Sequence, residues 1–163
     1  MNLYSQKTKT GCLFDCLCTS IQKNRSKIKK EHGDVLSFFK FNYLKYGSFG
    51  EICNREGINV CCYSFGFRDT MPKESIAVLG VNLAKDDFSK PLHSVFYDGK
   101  RVWEPWTRKF LNVNELKIVY AIRLVNQRSI NETPFLKETD RRILTRKNFE
   151  EKTEKKLNYI QIV

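Results

Sequence analysis

The sequence lacks the features that mark an exported, membrane-bound or zinc-binding protein. Its first residues, Met1-Asn2-Leu3-Tyr4-Ser5, contain no apolar run of the signal-peptide kind, and no later segment approaches the length of a membrane span. No Cys-x-x-Cys pair occurs among the six cysteines, and only two histidines are present. We therefore expect a cytoplasmic protein without membrane association, cofactor or metal, whose cysteines are free thiols. A disulfide-bonded protein is the alternative that the even number of cysteines leaves open.

What is present predicts one globular domain with an excess of positive charge. The 163 residues are 41% hydrophobic and include 12 phenylalanines, enough for a sizeable core. Basic residues outnumber acidic ones by 29 to 18, a net charge of +11 that favours anionic partners such as nucleic acid or acidic protein segments. No nucleic-acid-binding motif accompanies the basic run at residues 23–30, which can equally form the end of a helix.

The order of hydrophobic patterns predicts an α+β fold, with helices first and an antiparallel sheet second. Helices are predicted at 12–24, at 33–44 with a stop at Gly47, and from the capping-box pattern Ser48-Phe49-Gly50-Glu51 to about Gly57. Strands are predicted at 58–65, 76–83, 92–98, 100–104 and 116–125. Residues 1–128 form the predicted domain. Residues 129–163 are predicted to be a basic, helical C-terminal extension that folds over the domain or binds a partner.

A predicted hairpin brings a histidine and a glutamate together. Asp98-Gly99 between alternating apolar residues is typical of a two-residue type I′ turn. Counting outward from that turn pairs Val95 with Val102 and places His93 directly opposite Glu104. Opposed residues share one face of a sheet with their Cβ atoms about 5 Å apart. In this register Val95 and Val102 point into the domain, whereas Phe96 and Arg101 point away from it.

A cysteine at the start of the first helix completes the chemistry of a thiol hydrolase. The helix dipole and an imidazolium beside Cys12 would both favour its thiolate, with His93 as base and Glu104 holding the ring. The amide of Cys12 and the side chain of Gln6, six residues earlier, could donate hydrogen bonds to an oxyanion. The other five cysteines are predicted to be small buried residues, and His32 to be a solvated loop residue.

These residues resemble the papain-like cysteine peptidases, over roughly residues 1–125. Gln6 followed by a helix-opening Cys12 is one part of the resemblance. The other is the segment from His93 to Pro105, which is similar to the branch of bacteriocin-processing peptidases and related small bacterial and phage proteins. The resemblance implies a helical half carrying the cysteine packed on an antiparallel half carrying the histidine. It also implies Cys12 as nucleophile, His93 as base, Glu104 as orienting acid and Gln6 as oxyanion residue.

Departures from the family pattern keep a second interpretation open. Gly11-Cys12-Leu13 replaces the common Asp-Cys-Gly, and a glutamate stands where an aspartate or asparagine is usual. The leading hypothesis is an intracellular papain-like thiol hydrolase that cleaves a peptide, isopeptide or side-chain amide of a peptide or protein substrate. An acyltransferase that uses the same triad is a third class, which the sequence does not separate from the first. The alternative is a catalytically inactive papain-like protein, or a basic adaptor that binds protein or nucleic acid.

Overall fold

A computed structural model describes residues 1–5, 11–36, 44, 46–64, 70–81, 93–125 and 161–162. The helices described are α1 (Cys12–Ile21), α2 (Arg25–Glu31), α3 (Gly33–Leu36) and α4 (Tyr46–Arg55). None of these helices has both the length and the apolar content to cross a membrane. The strands β1–β8 follow at Asn59–Ser64, Thr70–Met71, Ile76–Val81, His93–Tyr97, Val102–Glu104, Lys109–Leu111, Ile118–Val125 and Gln161–Ile162.

Helix α1 begins at Cys12 as predicted and ends three residues earlier than expected. Gln22 takes the left-handed conformation (φ 57°), and its amide donates to the carbonyl of Cys18. The side chain of Asn24 then accepts a hydrogen bond from the amide of Lys27 at 2.8 Å and caps the next helix. The basic run is thus a helix of its own rather than the end of the first one.

The other predicted helices differ from the observed ones at their boundaries. The helix predicted at 33–44 is described only as α3, because residues 37–43 lie outside the described residues. Helix α4 begins at Tyr46, two residues before the predicted capping box, and it includes Gly47 rather than starting after it. The ring of Tyr46 packs edge-on against Tyr120 at a centroid distance of 5.1 Å, and no local sequence signal encodes this tertiary contact.

The sheet is antiparallel throughout, with strand order β1-β7-β3-β4-β5-β6. Five of these strands correspond to the predicted ones, and the short outer strand β6 was not predicted. The α+β class with helices first is therefore confirmed. A separate two-stranded parallel pair joins β2 to β8, so Gln161 and Ile162 of the predicted extension lie in a strand. Residues 126–160, which hold most of that extension, lie outside the described residues.

Both faces of the sheet are buried. The helices cover one face, where Leu17, Phe49 and Ile52 pack with Phe96 and Tyr120 of the sheet. The other face has a second apolar cluster that consists of Met71, Ala77, Leu79, Val81, Val95, Tyr97, Val102, Ile118 and Ala121. Helix α1 packs against β4, and this contact brings the start of α1 to the start of the strand that carries the histidine.

Candidate active site

Cys12 differs from the other cysteines in its exposure. It is the first residue of α1 and is partly exposed, whereas the other five are buried, as predicted. All six are free thiols. The amides of a first helical turn have no partner within the helix, so the start of α1 directs N–H groups and a positive dipole end towards an anion.

A partly buried ion pair holds the start of α1 in place. Asp15 is buried in the first turn, and its carboxylate accepts hydrogen bonds from Nε and Nη2 of Arg25 at 3.0 and 3.1 Å. The same Nη2 donates to the carbonyl of Gly11 at 3.2 Å, and the guanidinium lies over the ring of Phe14. The residue before Cys12 is thus tied to the next helix by a charge-assisted hydrogen bond.

The predicted hairpin register is wrong by two residues. Tyr97 pairs with Val102 rather than with residue 100. The amide of Asp98 donates to the carbonyl of Arg101 at 3.0 Å, which centres the turn on Gly99 and residue 100. Gly99 alone in this turn has positive φ (94°), so a type I′ turn, which needs two such residues, does not form.

The physical cause of the shift is the side chain of Asp98. Its Oδ1 atom accepts hydrogen bonds from the amides of Lys100 and Arg101 at 2.8 and 2.6 Å, so it flanks the turn instead of occupying its centre. Phe96 does point to the face opposite Val95. It is nevertheless buried against the helices, not exposed, because the sheet is covered on both sides.

His93 and Glu104 meet despite the register shift. A shift of two residues preserves the alternation of side chains, so both remain on one face and become diagonal neighbours. Nε2 of His93 hydrogen-bonds Oε1 of Glu104. The imidazole also hydrogen-bonds the Cys12 thiol. With Nε2 engaged by the carboxylate, Nδ1 is the ring nitrogen that remains for the sulfur.

The Glu104 carboxylate is fixed by the turn that follows it. Oε1 also accepts from the amide of Trp106 at 2.9 Å, and Oε2 accepts from the amide of Thr107 at 2.6 Å and from its hydroxyl. Burial raises the pKa of this carboxyl, but the Thr107 and Trp106 donors, followed by His93, bring it below its ordinary value. Glu104 is therefore an ionised and oriented acceptor for the imidazole.

Cys12 and His93 are tuned towards a thiolate and an imidazolium. Burial raises the pKa of the Cys12 thiol, but hydrogen bonds from His93 and Ser94, together with the charge of His93, lower it below its ordinary value. Burial lowers the pKa of His93, yet the hydrogen bond and charge of Cys12, then those of Glu104, raise it overall. By contrast, burial raises the pKa of Cys18 to about 12 and that of Cys16 well above the ordinary range.

Gln6, the predicted oxyanion residue, lies outside the described residues, as does all of 6–10. The chain just before it is anchored next to the site. The carbonyl of Tyr4 accepts a hydrogen bond from Nε1 of Trp103 at 3.0 Å, and the amide of Tyr4 donates to Oγ1 of Thr19 at 3.2 Å. The segment leading to Gln6 is thus attached both to α1 and to the strand that carries Glu104.

The other histidine is buried, which corrects the prediction that it is a solvated loop residue. Nε2 of His32 hydrogen-bonds Oε1 of Glu56 at 2.7 Å, because the end of α4 packs against the end of α2. In the described parts of the chain, Glu31, His32 and Glu56 are the one group whose geometry could supply three metal ligands. Nζ of Lys23 lies 2.6 and 2.8 Å from the carboxylates of Glu31 and Glu56. The lysine ammonium therefore already balances their negative charge.

The structure therefore brings three of the four predicted site residues together: Cys12, His93 and Glu104. Sequence reasoning missed Ser94 and Thr107, whose hydrogen bonds to the sulfur and to the carboxylate depend on tertiary contacts rather than on a motif. Comparison of the chain with protein-family models, curated proteins and solved structures finds no match. A functional assignment for this chain thus depends on the chemistry of these side chains.

Proposed function

We propose that this protein is a papain-like cysteine peptidase or a related thiol hydrolase that acts through an acyl-enzyme intermediate. The observation that supports this most strongly is the imidazole of His93, which hydrogen-bonds the Cys12 thiol on one side and the Glu104 carboxylate on the other. The arrangement of a helix that starts at the cysteine, packed on an antiparallel sheet that carries the histidine and the acid, agrees with the papain-like layout.

In the first half of the reaction, the Cys12 thiolate attacks the carbonyl carbon of a peptide or side-chain amide. A carbon–sulfur bond forms and the carbonyl oxygen becomes an oxyanion. As that oxyanion collapses, the carbon–nitrogen bond breaks, and the His93 imidazolium gives its proton to the departing amine. Cys12 then carries the acyl group as a thioester, and His93 is neutral.

In the second half, the neutral imidazole of His93 takes a proton from a water molecule, which attacks the thioester carbonyl. The carbon–sulfur bond breaks, the acid product leaves, and the thiolate–imidazolium pair is restored. An amine in place of water would give acyl transfer by the same steps. Glu104 orients the ring and stabilises its charged form throughout, because its carboxylate is already held by the 105–108 turn.

The oxyanion needs hydrogen-bond donors that are in place before it forms. The backbone amide of Cys12 belongs to the first turn of α1 and has no acceptor within the helix. The side-chain amide of Gln6 is the second donor that the family resemblance implies. A neutral amide suits this role because it donates without bringing a charge that must be desolvated.

The most direct functional experiment exposes the full chain to a panel of peptide-based electrophiles and measures its intact mass. The wild-type protein should gain one adduct, located on Cys12, and Cys12→Ala should gain none and hydrolyse no substrate while it unfolds at nearly the same denaturant concentration. Cys16→Ala is the matched control, since it removes a thiol one turn later. It should retain the adduct and lose only packing stability. An adduct on Cys12→Ala would contradict the assignment.

A further inference from the structure

The side chain of Tyr120 extends across one strand of the sheet to reach Ser94, a neighbour of Cys12. Tyr120 of β7, Gly80 of β3 and Ser94 of β4 are directly opposed across three adjacent strands. A Cβ atom on Gly80 would lie 1.8 Å from Cε1 of Tyr120, so the ring occupies the space that a side chain at Gly80 would need. The hydroxyl of Tyr120 thereby reaches Oγ of Ser94 at a distance of 2.9 Å.

Ser94 in turn contacts the reacting sulfur. Both its backbone amide and its hydroxyl hydrogen-bond Cys12. Ser94 and Tyr120 are buried, and their hydroxyls bond each other. A hydroxyl has one proton to donate. If the Ser94 proton is directed at the thiolate, Oγ of Ser94 is left as an acceptor, and Tyr120 is the donor that it faces.

Tyr120 is suited to be that donor at all ordinary pH values. Burial raises the pKa of its phenol well above the usual range, so the hydroxyl keeps its proton. The titratable groups around Cys12 are His93 from β4, Cys16 from α1 and Tyr120 from β7, and Tyr46 from α4 in turn packs on Tyr120 and hydrogen-bonds it. Of these, His93 and Tyr120 can supply protons towards the sulfur, from two different strands.

We propose that Tyr120 and Ser94 form a hydroxyl relay, laid across Gly80, that stabilises the thiolate of Cys12 in addition to His93. Ser94 touches the reacting atom, whereas Tyr120 is a positioning residue that acts through Ser94. The relay rests on the proposed function and deepens it, because it adds a second source of thiolate stabilisation to the triad. Hydrogen bonds in such a chain polarise one another and strengthen the terminal bond to the charged group.

The test is the pH dependence of Cys12 alkylation by iodoacetamide, measured on the full chain and therefore independent of any substrate. Ser94→Ala should move the midpoint of the alkylation profile upward by about one pH unit, the effect of one lost hydrogen bond to a charged group. Tyr120→Phe keeps the ring over Gly80 and should move it by roughly 0.3 unit. The double variant should match Ser94→Ala alone, since Tyr120 acts only through Ser94.

Tyr97→Phe is the matched control. It also removes one buried tyrosine hydroxyl from the sheet, but that hydroxyl bonds the carbonyl of Lys73 at 2.5 Å and lies in the cluster on the other face. Its midpoint should equal the wild-type value even where denaturant unfolding shows a loss of stability. A Tyr120→Phe midpoint equal to that of Tyr97→Phe would overturn the relay, as would additive shifts in the double variant.

The outcomes also separate the relay from the proposed function. A wild-type midpoint in the ordinary thiol range, about pH 8.5, would count against the thiolate site itself. A low wild-type midpoint that neither Ser94→Ala nor Tyr120→Phe changes would leave the Cys12–His93 pair intact and reject the relay alone. Tyr120→Phe carries the test even if Ser94→Ala does not fold, because it changes a single oxygen atom.

Discussion

Both histidines of the chain pair Nε2 with a glutamate, and the two pairs differ in their third partner. His93 and Glu104 are joined by a partly exposed thiol at a helix start. His32 and Glu56 are joined by the ammonium of Lys23, which bonds Glu56 at 2.8 Å. Nδ1 of His32 has no hydrogen-bond partner among the described residues. An imidazole–carboxylate pair is thus not sufficient for a nucleophilic site, and the group at the other ring nitrogen decides what the pair can do.

The two carboxylates are also held in different ways. Glu104 receives amide and hydroxyl hydrogen bonds from Trp106 and Thr107, which lower its pKa more than the bond to His93 does. For Glu56, burial opposes ionisation, and the ion pair with Lys23 and the bond to His32 lower its pKa. A lysine as close to Glu104 would compete with the His93 imidazolium for the carboxylate. The first arrangement suits catalysis and the second suits the attachment of helix ends to one another.

The largest expected difference comes from removing each imidazole. His93→Ala should lower turnover by at least about a thousandfold, because it removes both the partner of the thiolate and the proton donor. His32→Ala should leave turnover within about twofold but lower the free energy of unfolding by about 2 kcal/mol, since it strips a buried partner from Glu56. Turnover and urea unfolding of the two variants check this. Comparable loss of turnover in both would erase the distinction between the pairs.

Replacing each glutamate by glutamine should change turnover by less than removing the imidazoles does, and the two sites should still respond differently. Glu104→Gln should lower turnover on the order of a hundredfold, less than the loss of Cys12, because it alters the orientation and tautomer of the ring and keeps the nucleophile. Glu56→Gln is the matched control and should affect unfolding alone. The alkylation profile of Cys12 gives an independent readout. If Glu104→Gln leaves both turnover and this profile unchanged, Glu104 is only a structural residue.

The groups that hold the two carboxylates should show the smallest effect. Thr107→Val removes the hydroxyl donor to Glu104 and should lower turnover about fivefold, equivalent to about 1 kcal/mol, with most of the other donors retained. Lys23→Met removes two partly exposed ion pairs and should lower the urea midpoint only slightly, with no change in turnover. Steady-state rates and unfolding curves for both variants test this. A fall in turnover for Lys23→Met would mean that the two regions are coupled.

The sequence could predict those parts of the two regions that follow the regular repeat of side-chain directions along a strand or a helix. The partnership of His93 and Glu104 survives a wrong turn, because side chains alternate every two residues and the register error was also two. The start of α1 at Cys12 was likewise predictable from the apolar positions that follow it. The donors to Glu104 and the contact of Ser94 with Cys12 were not, because they depend on how a turn and a helix pack against the sheet.

Burial of His32 shows the limit of local reasoning more clearly. Its neighbours Lys29, Lys30 and Glu31 are exposed and charged, so composition alone favours a solvated position. The ring is instead buried because Glu56, which follows α4, packs against it from 24 residues away. Nothing in the spacing of the two residues signals that contact, whereas the spacing from His93 to Glu104 spans a single hairpin.

The central claim, that Cys12 is a thiolate nucleophile activated by His93, is tested most directly by competitive alkylation of the native protein. Limiting iodoacetamide at about pH 6.5, two units below the ordinary thiol pKa, should label Cys12 before the other five cysteines. Cleavage at Asp15 separates Cys12 from Cys16 and Cys18 for mass spectrometry. His93→Ala should abolish this preference, and His32→Ala should retain it. Labelling of Cys12 no faster than of the buried cysteines in the wild-type protein would contradict the account.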